Sequence, residues 1–231
     1  MVALKLTGAD AFDDVSIGSL GFAQLCSWGT LYYSFPQLAD AMMAEFSWVK
    51  SEVYGALTLS FLFSALAAIP VGQAIDKGLG RQVMTGASVF AGLLFLLGSQ
   101  LSALWSFYVV FAGIGLLQAG TLYEAVFSVI ANHFDVATSR RHITTLTLWG
   151  GFAATLFIPL IEWLLLVGNW RQVMITLAGI NILVGLLIYR RLPISVQPRA
   201  RTEAERAEHK VGASVEKNTI SESKKIHTRE R

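Results

Sequence analysis

From residue 17 to residue 192 the chain alternates long apolar runs with short polar breaks. A helix that crosses a hydrocarbon core about 30 Å thick needs about 20 mostly apolar residues, because lipid offers no partner for free backbone N–H and C=O groups. Six stretches meet that length, at 17–39, 53–75, 83–101, 103–130, 143–167 and 172–189. The pattern predicts an all-α membrane protein with six transmembrane helices, the third and fourth joined by almost nothing. One tetrapeptide, Arg-Gln-Val-Met, occurs at Arg81–Met84 and again at Arg171–Met174, each time opening an apolar run. On its own it is too short to establish a repeat.

Composition agrees with the pattern: 54% of the 231 residues are hydrophobic and 15% are charged, with a mean hydropathy of +0.53, outside the usual range of a soluble domain. Charge concentrates at the end of the chain, where Arg190 to Arg231 holds eleven of the eighteen Lys and Arg. The pattern predicts three regions: an N-terminal segment over 1–16, a six-helix bundle over 17–192, and a tail over 193–231. The tail has few large apolar side chains and mixed charge, so it is expected to be disordered, apart from a short helix near 202–210. The first residues carry three Asp and no early apolar run, unlike a cleavable signal peptide.

Orientation follows from the basic residues of the loops. Lys77, Arg81, Arg140, Arg141, Arg190 and Arg191 fall in one set of alternating loops, against Lys50 and Arg171 in the other. Both termini are therefore expected on the cytoplasmic side of an inner (plasma) membrane. Trp48, Trp105, Trp163 and Trp170 lie near the outer span ends, where interfacial anchors occur.

Polar residues inside the spans are the candidates for chemistry. Glu124 is the only acidic residue well inside a span, and a charged carboxylate there costs about 2.5–3.5 kcal/mol on insertion scales. It is expected to face the bundle, on the stripe of Gly113, Leu117 and Gly120, with Gln118 and Tyr123 as companions. Gln24, Trp28 and Tyr32 recur at three- to four-residue spacing in the first span and could line a cavity or pack against a neighbour. Enzyme motifs are missing from the sequence: no Gly-x-Ser-x-Gly, no His-Glu-x-x-His, no P-loop and no paired carboxylates within a span. The single Cys26 and the spacing of the four His give no metal site, so no cofactor, metal or nucleic-acid partner is expected.

The loop Gly72-Gln-Ala-Ile-Asp76-Lys77-Gly78-Leu-Gly80-Arg81 resembles the loop signature of the major facilitator superfamily of transporters. The family form runs Gly, three residues, Asp-Arg, one residue, Gly-Arg, then a basic residue. Here Lys77 replaces the Arg, one extra residue precedes Gly80, and Gln82 replaces the second basic residue. "SWGTLYYSFPQLADAMMAEFSW", "YEAVFSVIANHF" and "GNWRQVM" are similar to segments of the bacterial oxalate/formate and monocarboxylate branch. Gly115 stands where the family's fourth helix often has an Arg three residues before a Gln.

The resemblance implies half of a transporter fold, six helices built as two inverted three-helix repeats, with substrate held between two such halves. It implies transport of a small organic solute, such as a carboxylate, by alternating access, with a second six-helix half from a homodimer or separate chain. Gln24, Trp28, Tyr32, Gln118 and Glu124 would be the solute-binding candidates, and Gly72, Asp76, Lys77, Gly80 and Arg81 the gating loop. Under this reading both copies of Arg-Gln-Val-Met begin the third helix of a repeat, the first as a gating contact and the second as an interfacial anchor. The alternatives are a truncated, inactive remnant and a membrane scaffold or regulator that transports nothing.

Overall fold

A computed structural model describes residues 17–193, and these contain helices and turns but no strand. The expectations for the N-terminal segment and for the tail, including its short helix, lie outside the described residues. In order, the helices are α1 (Ile17–Trp28), α2 (Phe35–Phe46), α3 (Lys50–Ala74), α4 (Gly80–Gly98), α5 (Leu104–Gln118), α6 (Tyr123–His133), α7 (Val136–Val167) and α8 (Trp170–Leu187). A π-helical turn, Gly29–Tyr33, joins α1 to α2, and a second, Ile75–Leu79, joins α3 to α4.

Among the described residues, four helical runs are long and apolar enough to cross a membrane: Lys50–Gly98, Leu104–His133, Val136–Val167 and Trp170–Arg191. The first of these is kinked at Gly78, whose φ of 87° is open to glycine and costly for a residue with a Cβ.

Two of the sequence-predicted spans are not continuous. The first contains the π turn, where Thr30 Oγ1 donates to the Cys26 carbonyl at 2.8 Å and Pro36 removes a backbone donor from the turn that follows. The fourth breaks at residues 119–122, where Leu122 takes an extended conformation as the N-cap of α6. Its run of Ala, Gly and Thr lacks the large side chains that would otherwise fix a helical face. The break also ends the single stripe predicted to carry Gly113, Leu117, Gly120 and Glu124: Gly120 lies against Ala87 of α4, whereas Glu124 is exposed.

Three helix pairs share the largest interfaces: α4 with α8, α3 with α5, and α1 with α7. Each relies on a residue without a side chain, as membrane helices do when packing rather than water expulsion holds them together. A Cβ on Gly92 of α4 would stand 2.7 Å from the Ala178 carbonyl of α8, and one on Gly115 of α5 would run into the Ser60 carbonyl of α3. A Cβ on Gly29, in the turn that extends α1, would enter the Phe157 ring of α7.

Candidate functional site

Of the five residues proposed from sequence to meet the solute, Gln24 and Gln118 are interior, Trp28 and Tyr32 belong to an aromatic wall, and Glu124 is exposed beside it. Gln24 and Gln118 are buried, and their amides reach across to each other's helix. Gln24 Nε2 donates to the Thr121 carbonyl at 2.8 Å, in the break between α5 and α6. Gln118 Nε2 donates to the Leu31 carbonyl at 2.8 Å, in the π turn between α1 and α2. Breaking a helix frees carbonyls that apolar surroundings cannot satisfy, and each glutamine takes up one from the other broken helix. Gln24 also donates to the hydroxyl of Tyr189 at 3.1 Å, and that hydroxyl lies 2.9 Å from Ser27 Oγ. A second interior group ties the π turn after α1 to α4 and α8: Thr30 Oγ1 reaches Asn181 Oδ1, and Ser88 Oγ donates to the Asn181 carbonyl at 2.7 Å.

Trp28, Tyr32 and Tyr123 form the wall. The Trp28 ring centroid lies 4.6 Å from that of Tyr123 and 5.4 Å from that of Tyr32, which in turn stacks on Phe61 of α3 at 5.9 Å. Gly150 makes room for it, since a Cβ there would meet the Tyr123 hydroxyl. That hydroxyl donates to the Thr147 carbonyl at 3.0 Å, which fixes the wall against α7. The indole N–H of Trp28 is buried without an acceptor. Glu124, next to Tyr123 at the start of α6, is exposed, so it does not face the bundle interior as the sequence suggested. Tyr33, not among the sequence candidates, also joins the wall, 5.1 Å from Tyr32. Its adjacency to Tyr32 in sequence argued for a different face, and the π turn brings the two rings together.

The loop residues gather where α3, α4 and α6 meet. Asp76 Oδ1 accepts from Ser128 Oγ at 3.4 Å and Asn132 Nδ2 at 3.3 Å, so Ser128 and Asn132, one turn apart on α6, grip the start of the loop. Gly80 is buried against Val129, and a Cβ there would stand 2.7 Å from Val129 Cγ2. Gly72 has open space around it. Lys77 and Arg81 have no ion pair among the described residues.

The second copy of the tetrapeptide is bound quite differently. Arg171 Nη2 lies 2.8 Å from Glu45 Oε1, Arg171 Nη1 donates to Oε2 at 3.1 Å, and the Trp170 indole N–H donates to the same oxygen at 2.6 Å. The guanidinium also sits 4.2 Å over the Trp170 ring. Hydrogen bonds from Arg171 and then Trp170 hold the Glu45 carboxyl below the ordinary glutamate range. Trp170 is 3% exposed and packs on Phe46. It is therefore a buried partner of the α2 end, where sequence position suggested an interfacial anchor, while Trp105 and Trp163 are exposed. Before α7, Asp135 accepts from the Thr138 backbone N–H and hydroxyl, which lowers its carboxyl in the same way and caps the helix.

The profile of the Major Facilitator Superfamily matches residues 20–228, most of the chain. The chain belongs to the Major Facilitator Superfamily. No curated protein gives a match. Membership together with the apolar helices makes it a multi-pass membrane protein of a family that moves small solutes across membranes. Within the superfamily pattern, Gly115 acquires a structural reason. The contact of α5 with the Ser60 backbone leaves no room for the arginine often found at that place, so the charge chemistry of such an arginine is not available from this helix.

Proposed function

We propose that residues 17–192 form one six-helix half of a facilitator-superfamily transporter, which moves a small organic solute by alternating access against a second six-helix unit. The 49-residue run Lys50–Gly98 would be about 73 Å long if straight, more than twice the hydrocarbon thickness. With the kink at Gly78 it is read as two crossings, α3 and α4. Counting α1–α2 and α5–α6 as single broken crossings, with α7 and α8, gives six.

The observation that carries this reading is a permutation. Exchange the first crossing with the fourth, the second with the fifth and the third with the sixth. The pair α4–α8 then maps onto itself and α3–α5 maps onto α1–α7, so the three largest interfaces are conserved. The same exchange relates the two broken helices and their two glutamine bonds. This is the relation expected of inverted three-helix repeats. Gln24 and Gln118 then brace the two breaks, and the solute meets Trp28, Tyr32 and Glu124.

Exposed Thr144, Thr147, Gly151 and Thr155 continue that wall along α7. Polar and small residues on an open face inside a membrane support a cavity or a helical partner more than a lipid contact. The Trp28 indole N–H has no acceptor, so a solute that carries one would satisfy it once a change of conformation uncovers it, in line with the carboxylate suggested by resemblance. The basic loops support an orientation with both termini in the cytoplasm, at an inner (plasma) membrane.

Uptake of labelled small carboxylates into vesicles containing the chain tests the proposal. Trp28→Phe and Glu124→Gln, compared at matched membrane levels, should each reduce flux at least tenfold if they touch solute. Wild-type flux in both would remove the wall from the transport path, and no flux for any solute in the wild type would favour a scaffold.

A further inference from the structure

Helix α7 shows two different faces outside its buried stripe. Thr144, Thr147, Gly151 and Thr155 lie on the side where Tyr123 reaches the Thr147 carbonyl. Arg141, Thr145, Trp149 and Phe152 follow at spacings of three and four on the other side, against α1. There the Trp149 ring fills the space over Gly21, and a groove of about 330 Å³ opens between the helices, lined by Leu25, Thr145, Leu148, Trp149 and Phe152. The Thr145 hydroxyl donates back to the Arg141 carbonyl at 3.1 Å, and apart from that hydroxyl and the Trp149 indole N–H the lining side chains are hydrocarbon. Arg141, one helical turn below Thr145, is exposed and has no acidic partner among the described residues.

We propose that this groove binds one anionic phospholipid, with an acyl chain along the α1–α7 seam and the phosphate at Arg141. Dimensions and charge both fit. On α7 the lining runs from Thr145 to Phe152, a rise of about 10 Å, and Arg141 lies about 6 Å further along the axis; together they cover about 16 Å, close to half of a hydrocarbon core of about 30 Å, which puts the cation at the headgroup level of one leaflet. Its shape and apolar lining suit a hydrocarbon chain, and the cation at one end alone suits a molecule with one charged end. A basic residue at the membrane surface favours an anionic headgroup over a zwitterionic one by roughly fivefold. The site is separate from the aromatic wall and does not depend on whether the wall carries solute.

Trp149 is the built-in reporter. With the full chain in phosphatidylcholine nanodiscs, a small fraction of brominated-chain phosphatidylglycerol should quench Trp149 several-fold more than the same fraction of brominated-chain phosphatidylcholine. The Trp149 contribution is read as the difference between the wild type and Trp149→Phe. Arg141→Gln should abolish the preference and Arg141→Lys should retain part of it. Arg140→Gln, with the same loss of charge about 100° around the helix, should leave it intact. Native mass spectrometry of the wild-type chain, counting retained phosphatidylglycerol against phosphatidylcholine, gives a readout that needs no variant and should show preferential retention of one. Equal quenching by the two lipids, equal loss in both Gln variants, or no preferential retention would overturn the proposal. So would a Trp149 shielded from both lipids, which would mean that protein covers the groove.

Discussion

Arg-Gln-Val-Met begins both α4 and α8, and the two copies share only what lies within them. Met84 and Met174 are fully buried, and Gln82 and Gln172 are both exposed. At α8, Asn169 accepts from the Gln172 N–H at 3.0 Å, the Gln172 side chain returns to the Asn169 N–H at 3.3 Å, and Glu45 holds both Trp170 and Arg171. At α4, Leu79 caps nothing with its side chain, Gly80 stands where α8 has Trp170, and Arg81 has no ion pair among the described residues. The tetrapeptide supplies a buried methionine and a helical first turn. Whether that turn is anchored depends on the residue before it and on what another part of the chain presents.

The contrast can be broken most strongly at Trp170. Trp170→Ala should cost about 3–5 kcal/mol, as for other buried aromatics, and Trp170→Phe should recover most of it, losing the indole N–H but keeping the ring against Phe46. Denaturant titration of the purified chain, followed by helical signal, measures both. Next, Asn169→Ala should cost about 1 kcal/mol through the lost cap, while Leu79→Ala should show no cap loss in the same titration, since no side-chain cap exists there.

Acid should separate the corners by a smaller amount, because an exposed ion pair contributes little. The Glu45 carboxyl is held below its ordinary value in the folded chain, so its contribution is present above the ordinary value of 4.5 and is lost as the pH falls through the lowered one. Asp135 adds an acid dependence of the same sign at α7. The expected result is therefore a difference: below pH 4.5 the wild type loses the stability advantage it holds over Glu45→Gln at neutral pH. A constant gap between the two thermal unfolding curves across that range would disprove the role of the pair. Smallest of all, Arg81→Gln should change stability by less than about 0.5 kcal/mol. Its effect, if the loop gates transport, should appear in flux alone.

Apolar patterning located the four helical runs long and apolar enough to cross a membrane, because about 20 apolar residues in a row is a strong signal, and the turn around Asp76 was legible from its glycines and charges. The clamp at α8 was not: 125 residues separate Glu45 from Trp170, and nothing near either one names the other. The break at 119–122 was hidden for another reason. Gly120 and Thr121 occur inside continuous membrane helices as well, and only the extended Leu122 shows that this helix stops. Gln24 and Gln118 looked like cavity residues because an amide in an apolar span invites a polar partner. That the partner would be a carbonyl freed in another broken helix depends on two breaks lying side by side, which spacing along the chain does not reveal. Gly115 read as a missing arginine, and the crossing at Ser60 supplies the reason.

Those two glutamines have a mechanical meaning. Each stands on the regular part of one helix and holds the unwound part of the other. Straightening either break would require its carbonyl to give up a donor rooted in the opposite helix, so the pair works as a single joint with two leaves rather than as two independent hinges.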